Sequence, residues 1–348
     1  MNIDNGYAVA VSGGQDSLLA LALLKEQGAA ALALHAHFIP PNEAAIEKAR
    51  ALREQCRSLG VEFYEADLSR EFEAGVVAPF VADYAAGLTP NPCAHCNRVM
   101  KFGALMDKAL ELGAGGLATG HYARIVEHPD YGPALARGFD RSKDQSYFLS
   151  LVHRRAIERS HFPLGETNKR DVPEMLASRG LTPPLESESQ EVCFVPGDDY
   201  RAFLRGRGLD SPQEGPILKD GREIGRHEGL WNYTLGQRRG IRVAWSEPLY
   251  VIGKDSDLNA LIVGAKDELP AFGCSAGDVN FMVPLETWPG EIFAQTRYRQ
   301  KARPVTAKMR DGRLALSFME PQTLPTPGQI AVVYDGAGLV LAGGIIQS

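Results

Sequence analysis

Apolar positions follow an α/β pattern through residues 1–207 of the chain. Four short apolar runs are typical of buried strands: Tyr7–Val11, Ala31–Phe38, Val61–Ala66 and Gly116–Thr119. Three segments with helical spacing lie between them: Asp16–Gln27, Asn42–Leu59 and Met100–Leu112. Strands that alternate with helices of this length predict a doubly wound parallel sheet of the α/β class.

From about residue 208 the pattern changes to short alternating segments that are separated by turns. Four of these segments predict strands of an antiparallel sheet or barrel: Phe293–Tyr298, Leu314–Phe318, Ile330–Tyr334 and Leu339–Ile345. We therefore predict three domains. These are an α/β domain at 1–207, a small middle domain at 208–272 and a C-terminal β-barrel at 273–348.

Length and composition fit this division. A chain of 348 residues with 44% hydrophobic and 23% charged residues is typical of a folded protein of two or three domains. The longest apolar stretch, near Ala29–Pro40, is interrupted by His35 and His37 and is too short to span a membrane. The N-terminus has no basic segment of a signal peptide. We expect a cytoplasmic protein.

Acidic residues outnumber basic ones, 43 to 37, and the net charge of −6 excludes a wholly basic nucleic-acid coat. One run in the C-terminal third is nevertheless strongly basic and contains no acid. It consists of Arg297, Arg299, Lys301, Arg303, Lys308 and Arg310. The run is either a solvated strand face or a local surface for RNA.

The segment Ser12–Ser17, with sequence SGGQDS, lies between a predicted strand and a predicted helix. Two glycines let backbone amides approach an anion, and the helix N-terminus adds a positive dipole end. Asp16 either caps the helix or holds Mg²⁺. The lysine of a Walker P-loop is missing. The segment resembles the PP-loop of the ATP pyrophosphatase superfamily, which activates an oxygen as an adenylate and releases pyrophosphate.

Five cysteines in a chain expected to be cytoplasmic point to thiol chemistry or metal binding rather than to a disulfide scaffold. Cys93 and Cys96 lie in a Pro-containing loop before a helix, where the helix N-terminus is expected to lower a thiol pKa. Cys193 follows much later. No second CxxC or CxxH completes a zinc site. Cys56 and Cys274 are predicted to be packing residues.

Segments in the same order along nearly the whole chain resemble the bacterial tRNA 2-thiouridylase family MnmA (TrmU). They are Ser12–Ser17, Asn91–Phe102, Ala118–Arg124, Lys143–Leu149, Ser189–Val195, Gly225–Gly240, Pro327–Tyr334 and Gly343–Ile346. The resemblance implies that ATP, with Mg²⁺, adenylates the C2 oxygen of the wobble uridine (U34) of tRNA. Sulfur then replaces that oxygen, and AMP and pyrophosphate are released. It implies tRNA as the partner, and neither DNA nor a membrane.

The resemblance also implies a set of site residues. Cys96 would be the nucleophile, Cys193 the persulfide carrier and Asp16 a catalytic carboxylate. The implied ATP-binding residues are Ala10, Val11, Ser12, Gly13, Gly14, Gln15, Asp16, Ser17, Ala36 and Gly120. The implied tRNA-binding residues are Asn91, Pro92, Cys93, His121, Lys143, Asp144, Gln145, Tyr298, Arg299 and Gln329. Without the resemblance, we would interpret His121 as a loop histidine whose hydrogen bonds are satisfied within the protein, and Lys143 and Asp144 as a surface ion pair.

This chain departs from the family pattern at three places. Cys93 stands where the family usually has Asp, the segment after Phe38 is shorter, and Ala36 or a neighbour replaces a Met near the adenine. The extra thiol leaves two sulfur mechanisms open. A donor protein passes a persulfide to Cys193, or Cys93, Cys96 and Cys193 hold a [4Fe–4S] cluster whose open iron binds free sulfide.

Two other function classes share parts of this pattern. A PP-loop amide ligase would need Ser12–Ser17 but neither the three cysteines nor the basic run. A non-catalytic tRNA-binding or sulfur-carrier protein would keep the basic run and have no use for the PP-loop. The sequence names neither the tRNA species, nor the sulfur donor, nor the oligomeric state.

Overall fold

A computed structural model describes residues 5–184, 192–209 and 213–347. The elements up to residue 209 are, in chain order, β1 (Tyr7–Ala10), α1 (Gln15–Glu26), β2 (Ala30–His37), α2 (Glu43–Ser58), β3 (Phe63–Asp67), α3 (Ser69–Phe72), α4 (Ala78–Ala85), α5 (Pro92–Cys96), α6 (Met106–Glu111), β4 (Gly116–Ala118), β5 (Ala123–His128), β6 (Gly132–Arg137), α7 (Ser146–Leu149), α8 (Arg154–Ile157), β7 (Ser160–His161), α9 (Val172–Ala177) and α10 (Tyr200–Arg205). The π-helical segments Glu73–Val77 and Asn97–Leu105 join α3 to α4 and α5 to α6.

The predicted parallel α/β sheet is confirmed. Its strand order is β3-β2-β1-β4-β7, and each neighbouring pair is parallel. From β1 the chain continues to β2 and β3 on one side of the sheet, whereas β4 and β7 lie on the other side. The connections therefore diverge at the neighbouring carboxyl ends of β1 and β4. In such a sheet this is the place where ligands bind.

The helix that contains the cysteines begins earlier than predicted. The sequence indicates a loop over Asn91–Asn97 and a helix from Met100, but α5 already starts at Pro92. The Asn91 side chain accepts a hydrogen bond from the Ala94 amide (3.1 Å), and Pro92 occupies the first helical position. An Asn cap followed by Pro is a strong helix start, so Cys93 and Cys96 lie on a helix instead of a loop.

The remainder of the chain forms two β structures. A mixed sheet of order β10-β11-β8-β9 consists of β8 (Gly215–Lys219), β9 (Arg222–His227), β10 (Tyr250–Asp255) and β11 (Ala260–Gly264). A closed antiparallel barrel of order β12-β15-β14-β13-β16-β17 consists of β12 (Pro270–Phe281), β13 (Ile292–Gln295), β14 (Arg303–Arg310), β15 (Arg313–Thr323), β16 (Ile330–Asp335) and β17 (Val340–Ile346). The predicted barrel is confirmed, and the domain boundaries at 207 and 272 stay predictions.

The barrel packs directly on the α/β part. Asn280 of β12 donates hydrogen bonds to the carbonyl oxygens of Ser150 (2.9 Å) and Val152 (2.8 Å). The buried Tyr147 hydroxyl of α7 donates to the carbonyl oxygen of Ile330 (3.0 Å). Buried polar contacts of this kind fix relative orientation, because an unpaired partner would be costly. No helix in the described ranges is long and apolar enough to cross a membrane.

Candidate active site

The PP-loop connects β1 to α1 and is closed by its own serines. The Ser12 amide donates to the Ser17 hydroxyl oxygen (3.1 Å), and the Ser17 hydroxyl donates to the Gly14 carbonyl (2.9 Å). Gly14, which has no side chain, occupies the N-cap of α1. The first amides of this 12-residue helix are therefore left to bind an anion.

Gly120, just after β4, closes the other side of this loop. A Cβ atom at Gly120 would lie 2.8 Å from the Asp16 carbonyl carbon and 2.9 Å from its oxygen. Only glycine permits this approach. The ends of β1 (Ala10, Val11) and β2 (Ala36) belong to the same sheet, and the Val11 amide donates to the Leu34 carbonyl (3.0 Å). The ATP roles of these residues stay predictions.

Asp16 is held by two residues that the sequence did not indicate. The Lys169 ammonium donates to both carboxylate oxygens, at 2.7 and 2.6 Å, and the Tyr122 hydroxyl donates to Oδ1 (2.7 Å). Lys169 lies 153 positions further along the chain, so no local pattern points to it. The carboxylate of Asp16 suits a hard cation such as Mg²⁺, and in this structure Lys169 supplies the positive charge.

The thiol side of the site is built by α5 and by the segment after residue 191. Phe194 packs edge-on against Phe72 and Phe80, with ring centroids 5.6 and 5.1 Å away, and this fixes the adjacent Cys193. Cys193 and Cys96 lie within electrostatic range of each other and of Cys93. Within the resembling segment Ser189–Val195, the residues before Val192 lie outside the described ranges.

The expected low thiol pKa is wrong. Burial raises the pKa of Cys96 to about 12, and the neighbouring thiols Cys193 and Cys93 raise it further when charged. Burial also raises the pKa of Cys93 and Cys193, although parts of both residues are exposed. Loss of water outweighs the helix N-terminus here, because a desolvated thiolate is costly. The nearby ammonium of Lys101 acts in the opposite direction on all three thiols.

His121 is buried between the two halves of the site. Its Nδ1 lies 2.6 Å from the Thr119 hydroxyl, and its Nε2 lies 3.4 Å from the Lys101 ammonium. Burial, followed by the charge of Lys101, holds the His121 pKa well below its usual range, so the ring is neutral. Because the Lys101 ammonium can only donate hydrogen bonds, Nε2 of His121 is the acceptor. Its Nδ1–H therefore donates to the Thr119 hydroxyl. The tRNA role of His121 stays a prediction.

Several residues expected to contact tRNA also have partners inside the protein. The Asp144 carboxylate is largely buried, accepts from the amides of Gly138 and Ser146, both at 3.0 Å, and lies 3.8 Å from the Arg137 guanidinium. The Gln145 side chain accepts from the Tyr122 amide (2.9 Å). Gln145 thereby holds the loop that follows β4, and Asp144 holds the segment that follows β6. Lys143 is half-buried beside them.

The predicted tRNA residues of the barrel differ in exposure. The Tyr298 ring packs on Phe148 with centroids 4.3 Å apart, whereas Arg299 is exposed. The Gln329 amide donates to the carbonyl oxygens of Thr89 (2.8 Å) and Pro90 (3.1 Å), just before Asn91 and α5. Their tRNA roles stay predictions. The structure places Gln329 as a link between the barrel and the cysteine helix.

The side chains as placed do not fit an iron–sulfur cluster. Across residues 5–184, 192–209 and 213–347, no three His, Cys, Asp or Glu side chains converge on a position for a metal ion. We derive no chemical step through such a cluster.

Comparisons with known families cover nearly the whole chain. Residues 6–197 match the "tRNA methyl transferase HUP domain", residues 202–265 the "tRNA methyl transferase PRC-barrel domain", and residues 272–346 the "Aminomethyltransferase beta-barrel domain". These three matches follow the same order as the parallel sheet, the mixed sheet and the barrel.

Curated relatives are similar over their full length. A protein of Nitratidesulfovibrio vulgaris (strain Miyazaki F) is 54% identical, with 97% of this chain and 98% of the relative covered. One of Lawsonia intracellularis is 47% identical (98% and 99%), and one of Chloroflexus aggregans is 43% identical (97% and 97%). Each is named "tRNA-specific 2-thiouridylase MnmA". With this identity, the PP-loop and the paired thiols in place, the chain belongs to the tRNA-specific 2-thiouridylase family of tRNA sulfurtransferases.

Proposed function

We propose that this chain catalyses the ATP-dependent 2-thiolation of uridine 34 of tRNA in the cytoplasm. The observation that carries the proposal is a site that combines a loop for binding ATP phosphates with thiols for sulfur transfer. An anion-binding PP-loop lies at the end of β1, and the free thiols Cys96 and Cys193 lie within electrostatic range of each other. Lys101 connects the two parts, because it contacts His121, next to Gly120, and acts on all three thiols.

The first step activates the base. The amides of the PP-loop and of α1 hold the phosphates of ATP, while the uridine C2 oxygen attacks the α-phosphorus. The bond to the bridging oxygen breaks, and pyrophosphate leaves with the electron pair. Mg²⁺, which Asp16 would hold, neutralises phosphate charge when it is bound. The C2 oxygen is thereby converted into a good leaving group, AMP.

The second step replaces oxygen by sulfur. A persulfide-carrying donor protein transfers sulfur to Cys193, and the terminal sulfur attacks C2 and expels AMP. Cys96, as a thiolate, then attacks the inner sulfur of Cys193. The S–S bond to the transferred atom breaks, 2-thiouridine is released and a Cys96–Cys193 disulfide remains, which a thiol reductant restores. The Lys101 ammonium favours the thiolates that both attacks require.

Asp16→Ala tests the activation step. We expect tRNA-dependent pyrophosphate release to fall about 100–1000-fold, because one preorganised electrostatic contact is lost. Asp107→Ala, which removes an exposed acid on α6, is the matched control. Circular dichroism checks that both variants fold. Release at the normal rate by Asp16→Ala would contradict the PP-loop assignment. Release that does not need tRNA would favour an amide ligase, and no release by the wild type would favour a non-catalytic carrier.

Cys93 tests the sulfur step, because the alternative mechanism, in which Cys93, Cys96 and Cys193 hold a [4Fe–4S] cluster that delivers free sulfide, needs this thiol and the persulfide relay does not. The persulfide relay predicts that Cys93→Asp keeps activity while Cys96→Ser and Cys193→Ser lose it. Cys274→Ser, in the barrel, is the control. The measurement is the 2-thiouridine content of tRNA treated anaerobically, with and without added iron and sulfide. Activity that follows iron content, together with an inactive Cys93→Ser, would replace the relay by the cluster.

A further inference from the structure

Lys169 occupies a position that a phosphate-binding lysine would need. Its ammonium lies 2.6 and 2.7 Å from the two oxygens of Asp16, which is in the first turn of α1. Only 12% of the Lys169 side chain is exposed, so its charge is focused into the site rather than screened by water. The PP-loop itself contains no lysine between Ser12 and Ser17.

The fold delivers Lys169 to this place by packing and by a backbone contact. Lys169 begins a short 3-10 turn that leads into α9, and Val172 and Leu176 of α9 pack with Leu18 and Leu19 of α1 in one buried cluster. The Lys169 amide donates to the Asp140 carboxylate (3.1 Å). The base of the lysine is therefore fixed against the helix that binds the anion, while its flexible stem can follow a nearby charge.

In the structure described, Lys169 pairs with Asp16, which is also the carboxylate suited to Mg²⁺. One carboxylate does not serve an ammonium and a divalent cation equally well at the same oxygens. The β- and γ-phosphates of ATP, held at the N-terminus of α1, offer the ammonium a stronger anionic partner nearby. A shift of Lys169 from Asp16 to the phosphates leaves the carboxylate free for the metal ion.

We propose that Lys169 is the phosphate-binding cation of this PP-loop: it pairs with Asp16 in the nucleotide-free chain and with the pyrophosphate part of ATP in the complex. The inference rests on the proposed function. As the α-phosphorus bond to the bridging oxygen breaks, negative charge collects on the departing pyrophosphate. The Lys169 ammonium neutralises it, as the lysine inside a Walker loop does from another place in the sequence.

Binding of two product fragments tests this directly. Inorganic pyrophosphate contains the groups that Lys169 would contact, and AMP does not. In magnesium buffer we expect Lys169→Met to weaken pyrophosphate binding about 10- to 100-fold and to change AMP binding less than about twofold. Lys169→Arg, which keeps the charge, should recover most of the pyrophosphate affinity. Arg170→Met, at the exposed neighbouring position, should match the wild type.

The outcomes separate the inference from the function on which it rests. Unchanged pyrophosphate affinity in Lys169→Met would overturn the inference, and so would an equal loss of both affinities, which would mean that the whole site is disturbed. Wild-type protein that binds neither fragment would refute the proposed ATP chemistry itself. Melting curves of the variants show whether they fold, and if Lys169→Met does not, the same two affinities are compared in Lys169→Gln, which also removes the charge but keeps a polar side chain.

Discussion

Lys101 lies where the thiols and the imidazole of the site come together. It is a cation that lowers the pKa of Cys93, Cys96 and Cys193 against the effect of burial. The same ammonium lies 3.4 Å from Nε2 of neutral His121. Lys101 is half-buried, so water screens its ammonium less than it screens a charge on the open surface. We therefore expect the reactivity of the thiols to depend on this residue.

Replacing Lys101 by Met tests this electrostatic role. Loss of the ammonium should raise the thiol pKa values further, so the pH profile of iodoacetamide labelling of Cys93 and Cys193 should move up by about one pH unit. The sign follows from the thiolate being the reactive form. Lys108→Met, on the following helix α6, is the control. An unmoved profile, read by mass spectrometry, would show that Lys101 does not stabilise the thiolates.

Single residues show where sequence reasoning reaches its limit. The residues of the PP-loop and the three cysteines form recognisable local motifs, and the structure brings them to one region. Lys169 and Tyr122 reach Asp16 from distant parts of the chain, and only the packing of α9 on α1 reveals the lysine. The prediction of a low thiol pKa was wrong for a related reason. A sequence motif shows where the helix starts, but it does not show how much protein covers the sulfur atoms.

At the scale of elements, a turn of the barrel positions the start of the cysteine helix. The Thr89 amide donates to the Pro327 carbonyl (2.9 Å), and Gln329 returns two hydrogen bonds to Thr89 and Pro90. Gly328, with φ of 89°, lies so close that a Cβ atom would be 2.9 Å from the Thr89 carbonyl oxygen. The turn therefore acts as a rigid stop against the segment that leads into α5.

Gly328→Ala should disturb this contact and, through it, the thiols. We expect a lower melting temperature and thiolation about 10- to 100-fold slower, because a small displacement of reacting groups is costly. Gly312→Ala is a matched control, since its φ is 72° but nothing lies within 4 Å of the added atom. The control subtracts the left-handed backbone strain common to both positions. Equal thiolation rates in the two variants would contradict a positioning role for the turn.

The elements that were predicted correctly are those that hydrophobic period and turn residues encode locally. The predicted strands at Tyr7, Ala31 and Ile330 begin within one residue of the observed ones. Strand β14 was not predicted, because its sequence shows little alternation of apolar and polar residues. Val305 is buried, and the basic residues before and after it are exposed. The π-helical segment Asn97–Leu105 was also not predicted. It depends on Gly103, whose φ and ψ of −108° and −106° interrupt the regular helix.

At the scale of the whole molecule, a protein with net charge −6 has to bind a polyanion through a local surface. The basic run supplies exposed charges at Arg299, Lys301, Lys308 and Arg310. Arg303 lies 4.0 Å from Glu320, so its charge is partly neutralised. Arg297 has a different role. Its half-buried guanidinium donates to the carbonyl oxygens of Leu235 (3.3 Å) and Leu324 (3.2 Å) and joins the middle part of the chain to the barrel.

We therefore predict that the exposed residues of the basic run, but not Arg297, contact tRNA. We expect Arg299→Glu and Lys301→Glu each to weaken tRNA binding and to reduce the slope of log affinity against log salt by about one. When a phosphate contact is lost, tRNA binding releases fewer counterions. Arg50→Glu, on α2, changes the net charge equally and is the control. If all three variants weaken binding alike, only the total charge matters. If Arg299→Glu and Lys301→Glu keep the wild-type affinity and slope, the run is a solvated strand face and tRNA binds elsewhere.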